Sequence, residues 1–108
     1  MSRFYANLPN LVIALTESVS GTITASLTDA AALTITAPSA LTGTVTLQGS
    51  LDGGTTWADI GSGGSDVTIG AGNGVTVSPF PYNGLRLSSS TTEAAARTFL
   101  VGKSFDVR

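Results

Sequence analysis

The segment of residues 44–60, TVTLQGSLDGGTTWADI, most constrains what this chain can fold into. Its first half alternates apolar Val45 and Leu47 with polar residues, which is the period of a half-buried strand. Residues 52–54 are Asp-Gly-Gly, and glycine reaches positive φ without a Cβ clash, so they predict a tight turn. A second short strand at 56–60 would complete a β-hairpin.

Within this hairpin, five residues have the spacing S-x-D-x-G-x-T-W of the Asp-box motif. They are Ser50, Asp52, Gly54, Thr56 and Trp57. In proteins that carry the motif, the Ser and Asp side chains bond the loop backbone and the Trp packs beneath it. We interpret the motif as a structural turn, because such side chains commonly bond their own loop. A role in binding carbohydrate is the alternative interpretation.

The composition excludes several kinds of active site. The chain has 108 residues, which indicates one domain, and it contains neither Cys nor His. A disulfide framework, a thiol nucleophile and a Cys/His metal site are therefore excluded, as is a Ser-His-Asp relay.

Charge is scarce along the whole chain. Charged residues make up 11% of it, against about 25% in an average domain. Sixteen Thr and thirteen Ser take their place, with a net charge of -2 and a mean hydropathy of +0.31. Because charge keeps protein surfaces dispersed, this composition favours a surface covered by neighbouring subunits. Hydroxyl-rich strands that tolerate solvent are the alternative explanation.

Nucleic acid and membrane are not expected partners. The five basic residues are scattered and form no patch that could neutralise phosphates. No apolar run approaches the ~20 residues that span a bilayer. The apolar segment 11–15 lacks the charged lead and the longer apolar centre of a secretion signal.

Short alternating segments with Gly- and Pro-rich turns predict eight or nine strands and an all-β fold. The predicted strands are 11–15, 22–27, 32–36, 44–48, 56–60, 66–69, 74–77, 85–88 and 97–107. Their spacing predicts a single antiparallel β-sandwich, with a jelly roll as one form of it. In 22–27, Ile23, Ala25 and Leu27 are expected to face inward. A shift of the alternation near Gly102 predicts a bulge or bend.

Two segments leave room for a helical turn. Residues 29–33 could form one, although they are too few to be stable alone. Residues 91–96, TTEAAA, could form one helical turn or the tip of a loop.

The first ten residues are aromatic and irregular, and Pro9 disfavours a helix before it. We predict an N-terminal arm at 1–10 and the sandwich domain at 11–108. Its large apolar side chains are costly to leave in water, so the arm should pack on its own domain or dock on a neighbour. These candidate interface residues are Phe4, Tyr5 and Leu8.

Two further candidate interface residues, Phe80 and Tyr82, lie on a proline-stiffened loop. Flat aromatic faces with a polar tip suit a protein interface, and they also suit core packing or sugar stacking. For Trp57 of the hairpin, core packing is the leading interpretation.

The acidic residues do not suggest a catalytic pair, because most of them fall in predicted turns. They are Glu17, Asp29, Asp52, Asp59, Asp66, Glu93 and Asp106. A calcium site at Asp52, Asp59 or Asp66 is chemically permissible, but no run of ligands supports it. Lys103 and Ser104 are neighbours on opposite strand faces and cannot form a Ser-Lys pair. We expect no catalytic residue, no cofactor and no metal, and therefore no enzyme.

Three segments resemble small β-sandwich virion proteins of tailed bacteriophages: VTLQGSLDGGTTWADI, VTVSPFPYNGLRLSSS and RTFLVGKSFDV. The resemblance implies a structural protein of the virion, most often a capsid decoration or cement protein. Such a protein would form a homo-oligomer, a trimer or a dimer, and bridge major capsid protein subunits. Connector and tail-associated roles are neighbouring implications. The rival class is a carbohydrate-binding or adhesive β-sandwich module.

Overall fold

The structure, a computed structural model, describes residues 2–62, 65–78 and 80–107. These residues form ten strands, all paired antiparallel. The strands are β1 (Ser2–Ile13), β2 (Ala32–Thr36), β3 (Val45–Ser50), β4 (Ala58–Asp59), β5 (Gly61–Ser62), β6 (Ser65–Asp66), β7 (Thr68–Ile69), β8 (Gly74–Val77), β9 (Gly84–Ser89) and β10 (Arg97–Val107).

The first sheet has the order β1-β10-β2-β8. Period-two alternation orients its strands: Leu33 and Ile35 are buried, whereas Thr34 and Thr36 are exposed. The two longest strands, β1 and β10, lie side by side, because the first strand of the chain pairs with the last.

The second sheet is built around β3, which pairs with β9 on one side and with β4 and β7 on the other. The outer edge of β9 is covered by the segment 18–23 through single bridges from Val19 to Ser88 and from Ile23 to Leu85. Strands β5 and β6 form a separate two-stranded hairpin between β4 and β7.

This strand order is that of a jelly roll. The segment 18–23 takes the second place along the chain, and β4 with β7 forms one interrupted fifth strand. The eight resulting strands run 1-8-3-6 in the first sheet and 2-7-4-5 in the second, the arrangement of two interlocked Greek keys. The predicted all-β antiparallel β-sandwich is confirmed.

The core lies between the two sheets. Each fully buried aliphatic or aromatic side chain there contributes about 1.5–3 kcal/mol of hydrophobic free energy. The largest fully buried apolar side chains are Phe99, Leu11, Ile13, Leu27, Leu33, Ile35, Leu47, Leu85, Leu87 and Val45.

The N-terminal segment differs from its prediction. Apart from Met1, which lies outside the described residues, it belongs to β1 and is not irregular, because it pairs with β10 from Ser2 to Leu8. The register then shifts between Leu8 and Leu11, and Pro9 lies in that bulge, where its missing N–H breaks no ladder bond.

The strand predicted at 22–27 is also wrong, because only Ile23 makes a bridge. Ser26 has a φ of 65°, which ends the extended conformation, and Ala25 is exposed instead of inward-facing. At the end of β1, Thr16 has a φ of 66°, and Leu15 is exposed rather than part of the strand.

Strand β10 has the predicted bounds, but the predicted bulge near Gly102 is absent. Gly102 pairs in regular register with both Asn7 and Thr34. Lys103 lies at an inward-facing position of β10. A charged residue there interrupts the apolar alternation of the strand, which is why the sequence suggested a shift. Residues 29–33 and 91–96 contain no helix, and no described segment is a helix long and apolar enough to cross a bilayer.

Candidate functional site

The Asp-box turn caps itself as the motif predicts. The Ser50 hydroxyl accepts the Gly54 N–H at 2.9 Å and donates to Asp52 Oδ1 at 2.8 Å. The same carboxylate oxygen accepts the N–H groups of Thr55 and Thr56 at 3.1 and 2.8 Å. These bonds, from Thr56 above all and then from Ser50, lower the pKa of Asp52 to about 2. The carboxylate is thus an anionic turn cap at neutral pH.

Glycine is needed at the tip of this turn, because Gly53 and Gly54 have φ values of 73° and 99°. The Trp57 indole N–H donates to the Gly54 carbonyl at 3.1 Å, which fastens the half-buried ring beneath the turn. Sequence reasoning missed a further brace: Asn83 accepts the Gly53 N–H at 3.0 Å and donates to the Leu51 carbonyl at 3.2 Å.

An apolar cleft of about 270 Å³ lies beside the turn, between Trp57 and Tyr82. Gly49 forms its floor, where a Cβ atom would meet Tyr82 Cδ1 at 2.5 Å. One face of Trp57 is already occupied, because the Arg86 guanidinium lies 4.7 Å from the ring centroid. The cleft can hold one flat or aliphatic group.

The five candidate interface residues differ in exposure and fall into three groups. Leu8 and Phe80 are core residues with 8% and 4% of their surface exposed, so the folded chain does not offer them to a partner. Tyr82 is half-buried and packs against Phe80 at 5.4 Å between ring centroids. Phe4 and Tyr5 stay at the surface, with 47% and 79% exposed.

The outer face of the first sheet brings exposed apolar groups together without charge. Tyr5, Val12 and Leu100 are exposed there by 79%, 41% and 58%. No described side chain of this face is charged. Over residues 4–105, the other outward positions of the paired strands carry Asn7, Ala32, Thr34, Thr36, Gly74, Thr76, Thr98, Gly102 and Ser104. A shallow groove of about 480 Å³ crosses the face beside Tyr5.

The outer face of the second sheet has the opposite character. Arg86 Nε donates to the Gln48 side-chain oxygen at 2.7 Å. The Gln48 amide in turn donates to Asp59 Oδ1 at 2.8 Å. A cation, an amide and a carboxylate therefore satisfy one another across three neighbouring strands, β9, β3 and β4.

The buried carboxylate of Glu93 is a feature that sequence reasoning missed. It accepts the N–H groups of Thr42 and Gly43 at 2.8 and 3.0 Å, the Ser89 hydroxyl at 2.7 Å and Arg97 Nε at 2.9 Å. Burial alone would raise the pKa of Glu93, but these four donors outweigh it and lower the pKa to about 2. The sequence signal for this ion pair was the four-residue spacing from Glu93 to Arg97. Such a spacing brings two side chains together on a helix, and residues 91–96 are not helical, so it did not show where the pair lies.

The Glu93 backbone ties a third loop to this point. Its carbonyl accepts the Thr16 N–H and its N–H donates to the Glu17 carbonyl, both at 2.9 Å. Glu93 thus joins the loops that precede β3, follow β1 and connect β9 to β10. The four side-chain bonds of Glu93 all go to groups of the protein itself, and the residue is 1% exposed.

Lys103 extends from the inner face of β10 to the end of the sandwich. Its ammonium group donates to the Ser26 carbonyl at 2.8 Å and to Asp29 at 2.7 Å, and this bond lowers the pKa of Asp29. Among the described residues, no group of three or more His, Cys, Asp or Glu side chains could hold a metal ion.

No known protein family and no curated protein matches this chain. One solved chain of similar fold belongs to the Bacillus endospore appendages, described as a novel family of disulfide-linked pili. The alignment covers 99% of this chain and 88% of that chain, with 14% sequence identity and a TM-score of 0.49. A likeness at this level does not establish a shared activity, partner or location.

Proposed function

We propose that this protein is a non-enzymatic structural subunit that associates with copies of itself and with a larger assembly. In the specific form suggested by the sequence resemblance, it decorates the capsid of a tailed bacteriophage and bridges major capsid protein subunits as a dimer or trimer. The observation that carries the proposal is the outer face of the first sheet, which carries no charged residue over residues 4–105. Tyr5, Val12 and Leu100 all project from it.

Such a face is suited to being covered. Exposed apolar side chains grouped on one surface mark interaction sites, whereas isolated ones need no explanation. Burying the part of this face that residues 4–105 form would leave no unpaired charge, which is a large cost in many interfaces. The jelly roll occurs in viral capsid domains and also in lectins, so the fold alone does not choose between these roles.

The first experiment measures the mass of the protein in solution by light scattering, for the unmodified chain and for Leu100→Glu. Leu100 is 58% exposed on the first sheet, and Leu15 is 57% exposed on a loop, so Leu15→Glu is a matched control. We expect the unmodified chain and Leu15→Glu to form the same oligomer. Leu100→Glu should weaken association about tenfold or more, since it buries a charge in the interface.

Equal masses for all three proteins would contradict the role assigned to this face. Co-sedimentation with purified heads of the phage that encodes the protein then tests the capsid form of the proposal. The expected result is binding by the unmodified chain and weaker binding by Leu100→Glu. Self-association without binding to heads would leave a structural subunit of a different assembly.

A carbohydrate-binding role is the second candidate, favoured by the apolar cleft between Trp57 and Tyr82. Sugar rings stack on aromatic faces, and Asp52 and Thr56 stand at its rim. A glycan array with the unmodified chain and Tyr82→Ala tests it. Specific binding that is lost in Tyr82→Ala, by a protein that stays monomeric, would replace the structural proposal. Phe80→Ala is unsuitable here because Phe80 is a core residue.

A further inference from the structure

The backbone of β1 presents unused hydrogen-bonding groups at the edge of the first sheet. In an antiparallel pair of strands, the backbone N–H and C=O groups of two opposite residues either point towards each other or point away from each other. The Ser104 carbonyl accepts the Ala31 N–H at 2.7 Å on the β2 side, so Tyr5, which lies opposite Ser104, faces away from β10. Because the direction alternates along a strand, Asn7 also faces outward, whereas Ala6 faces β10.

The far end of β1 shows the same orientation independently. Beyond the bulge, the outward-facing Val12 carbonyl accepts the Gly21 N–H at 3.2 Å. Within the described part of the chain, no segment reaches the outward groups of Tyr5 and Asn7 in this way. Among the described residues, the loop after β1 therefore covers the strand edge at Val12 and leaves it free at Tyr5 and Asn7.

The corresponding edge of the second sheet is covered. There the segment 18–23 donates from Ser20 to the Leu87 carbonyl and from Ile23 to the Leu85 carbonyl, both at 2.9 Å. The edge of β1 is also undefended, because residues 4–13 contain no charge. Natural sheets protect long free edges with charged residues, proline or bulges, and here Pro9 and the bulge lie beyond Leu8.

We propose that β1 of one copy pairs antiparallel with β1 of a second copy, with Ala6 at the two-fold axis. Tyr5 then lies opposite Asn7 of the second copy, and Asn7 opposite its Tyr5. Each of these two opposed pairs exchanges an N–H···O bond in both directions. The two first sheets become one continuous sheet. This inference rests on the proposed self-association and adds a contact along the β1 edge to the contact proposed for the outer face.

The side chains beside this seam fit a second copy of the same strand. On the inner face, Phe4 is 47% exposed and stacks on Phe105 at 5.8 Å, and the second strand would cover the exposed part of its ring. On the outer face, the exposed Tyr5 ring would cover Asn7 of the second copy. Pairing ends at Pro9, which has no N–H to donate, so the register is limited to the segment before the bulge.

A pair of proline substitutions tests the edge. Asn7→Pro removes an outward N–H and places the ring where the second strand must lie, while the ladder to β10 keeps its donors. Ala6→Pro is the matched control, because it removes a donor of that ladder. We expect Asn7→Pro to keep its circular dichroism spectrum and to associate about tenfold or more weakly. Ala6→Pro should lose thermal stability.

Amide hydrogen exchange in the unmodified chain tests the same inference without substitution. The amides of Tyr5 and Asn7 should become about tenfold or more protected as the protein concentration rises through the association range, while that of Ala6 stays protected throughout. An oligomer whose Tyr5 and Asn7 amides exchange equally fast at all concentrations, or whose mass is unchanged in a folded Asn7→Pro, would overturn the edge pairing and leave self-association standing. A chain that is monomeric at every concentration would overturn both.

Discussion

The two sheets of this jelly roll differ in whether their outer faces carry paired charged groups and in whether their edges are covered. On the second sheet, Arg86, Gln48 and Asp59 satisfy one another, and the segment 18–23 covers the edge of β9. On the first sheet, the outer face carries no charged residue over residues 4–105, and β1 has an open edge. Among the described residues, the second sheet is thus completed by the chain itself, whereas the first keeps an uncovered edge and exposed apolar side chains.

This difference predicts where the cost of a substitution should appear. A change in the groups that complete the second sheet and its loops should lower the free energy of unfolding of the single chain. A change on the outer face of the first sheet should leave that free energy almost unaltered and act on association. The predictions below test this separation, beginning with the largest expected effect.

Glu93→Gln should have the largest effect. The substitution places an amide N–H₂ group against buried donors and removes the partner of Arg97, so we expect a loss of about 3 kcal/mol in unfolding free energy. Urea unfolding followed by Trp57 fluorescence measures it. Glu17→Gln, on the exposed loop, is the control and should be neutral. A loss below about 1 kcal/mol would mean that Glu93 does not hold the loops together.

Ser50→Ala should come next. Ser50 is 1% exposed, and its hydroxyl accepts the N–H groups of Asp52 and Gly54. Removing the hydroxyl should therefore lower the free energy of unfolding by about 2 kcal/mol. The control is Ser39→Ala, at an exposed loop position. The same unfolding assay compares the two, and equal stabilities would show that the turn is held by Asp52 and Asn83 instead.

Acid should weaken the same loops. The pKa of Glu93 falls from its ordinary 4.5 to about 2 in the folded chain, and that of Asp52 from 3.8 to about 2. A lowered folded-state pKa gives stability that is complete above the unfolded value and is lost as the pH falls towards the folded one. Stability should therefore decline from about pH 4.5 to about pH 2. The decline should be shallower in Glu93→Gln, and identical slopes would contradict this origin.

The smallest effect on unfolding should be that of Leu100→Glu. Its side chain already projects into solvent in the single chain, so the unfolding free energy of dilute protein should change by no more than about 0.5 kcal/mol. The same variant is expected to change association strongly. A large loss of stability at low concentration would erase the distinction between the two sheets.

The sequence predicted those parts of the fold that depend on local periodicity. Strands β2, β8 and β10 have the predicted bounds, because their alternation is clean and turn residues flank them. The Asp-box turn was also predictable, since its bonds join residues at most four positions apart.

Features that depend on distant partners could not be read in this way. The alternation at 22–27 predicted a strand. In the structure Ser26 has a positive φ and its carbonyl accepts a hydrogen bond from Lys103, so the extended conformation ends there. Residues 2–8 look irregular until β10 lies beside them. Glu93 is unremarkable in TTEAAA, because Thr42 and Gly43 are fifty positions away along the chain. The β-sandwich class could therefore be predicted from the sequence, whereas the joining of three loops by Glu93 could not.

The position of β10 between β1 and β2 has a consequence for synthesis on the ribosome. The segment from 18 to 89 contains every strand of the second sheet, as well as the pair β2 and β8, and these can associate as they emerge. Strand β1 emerges long before β10, the strand that it pairs with, so this pairing has to wait until β10 has been synthesised. Until β10 emerges, the edge of β1 that β10 later covers is as open as its outer edge.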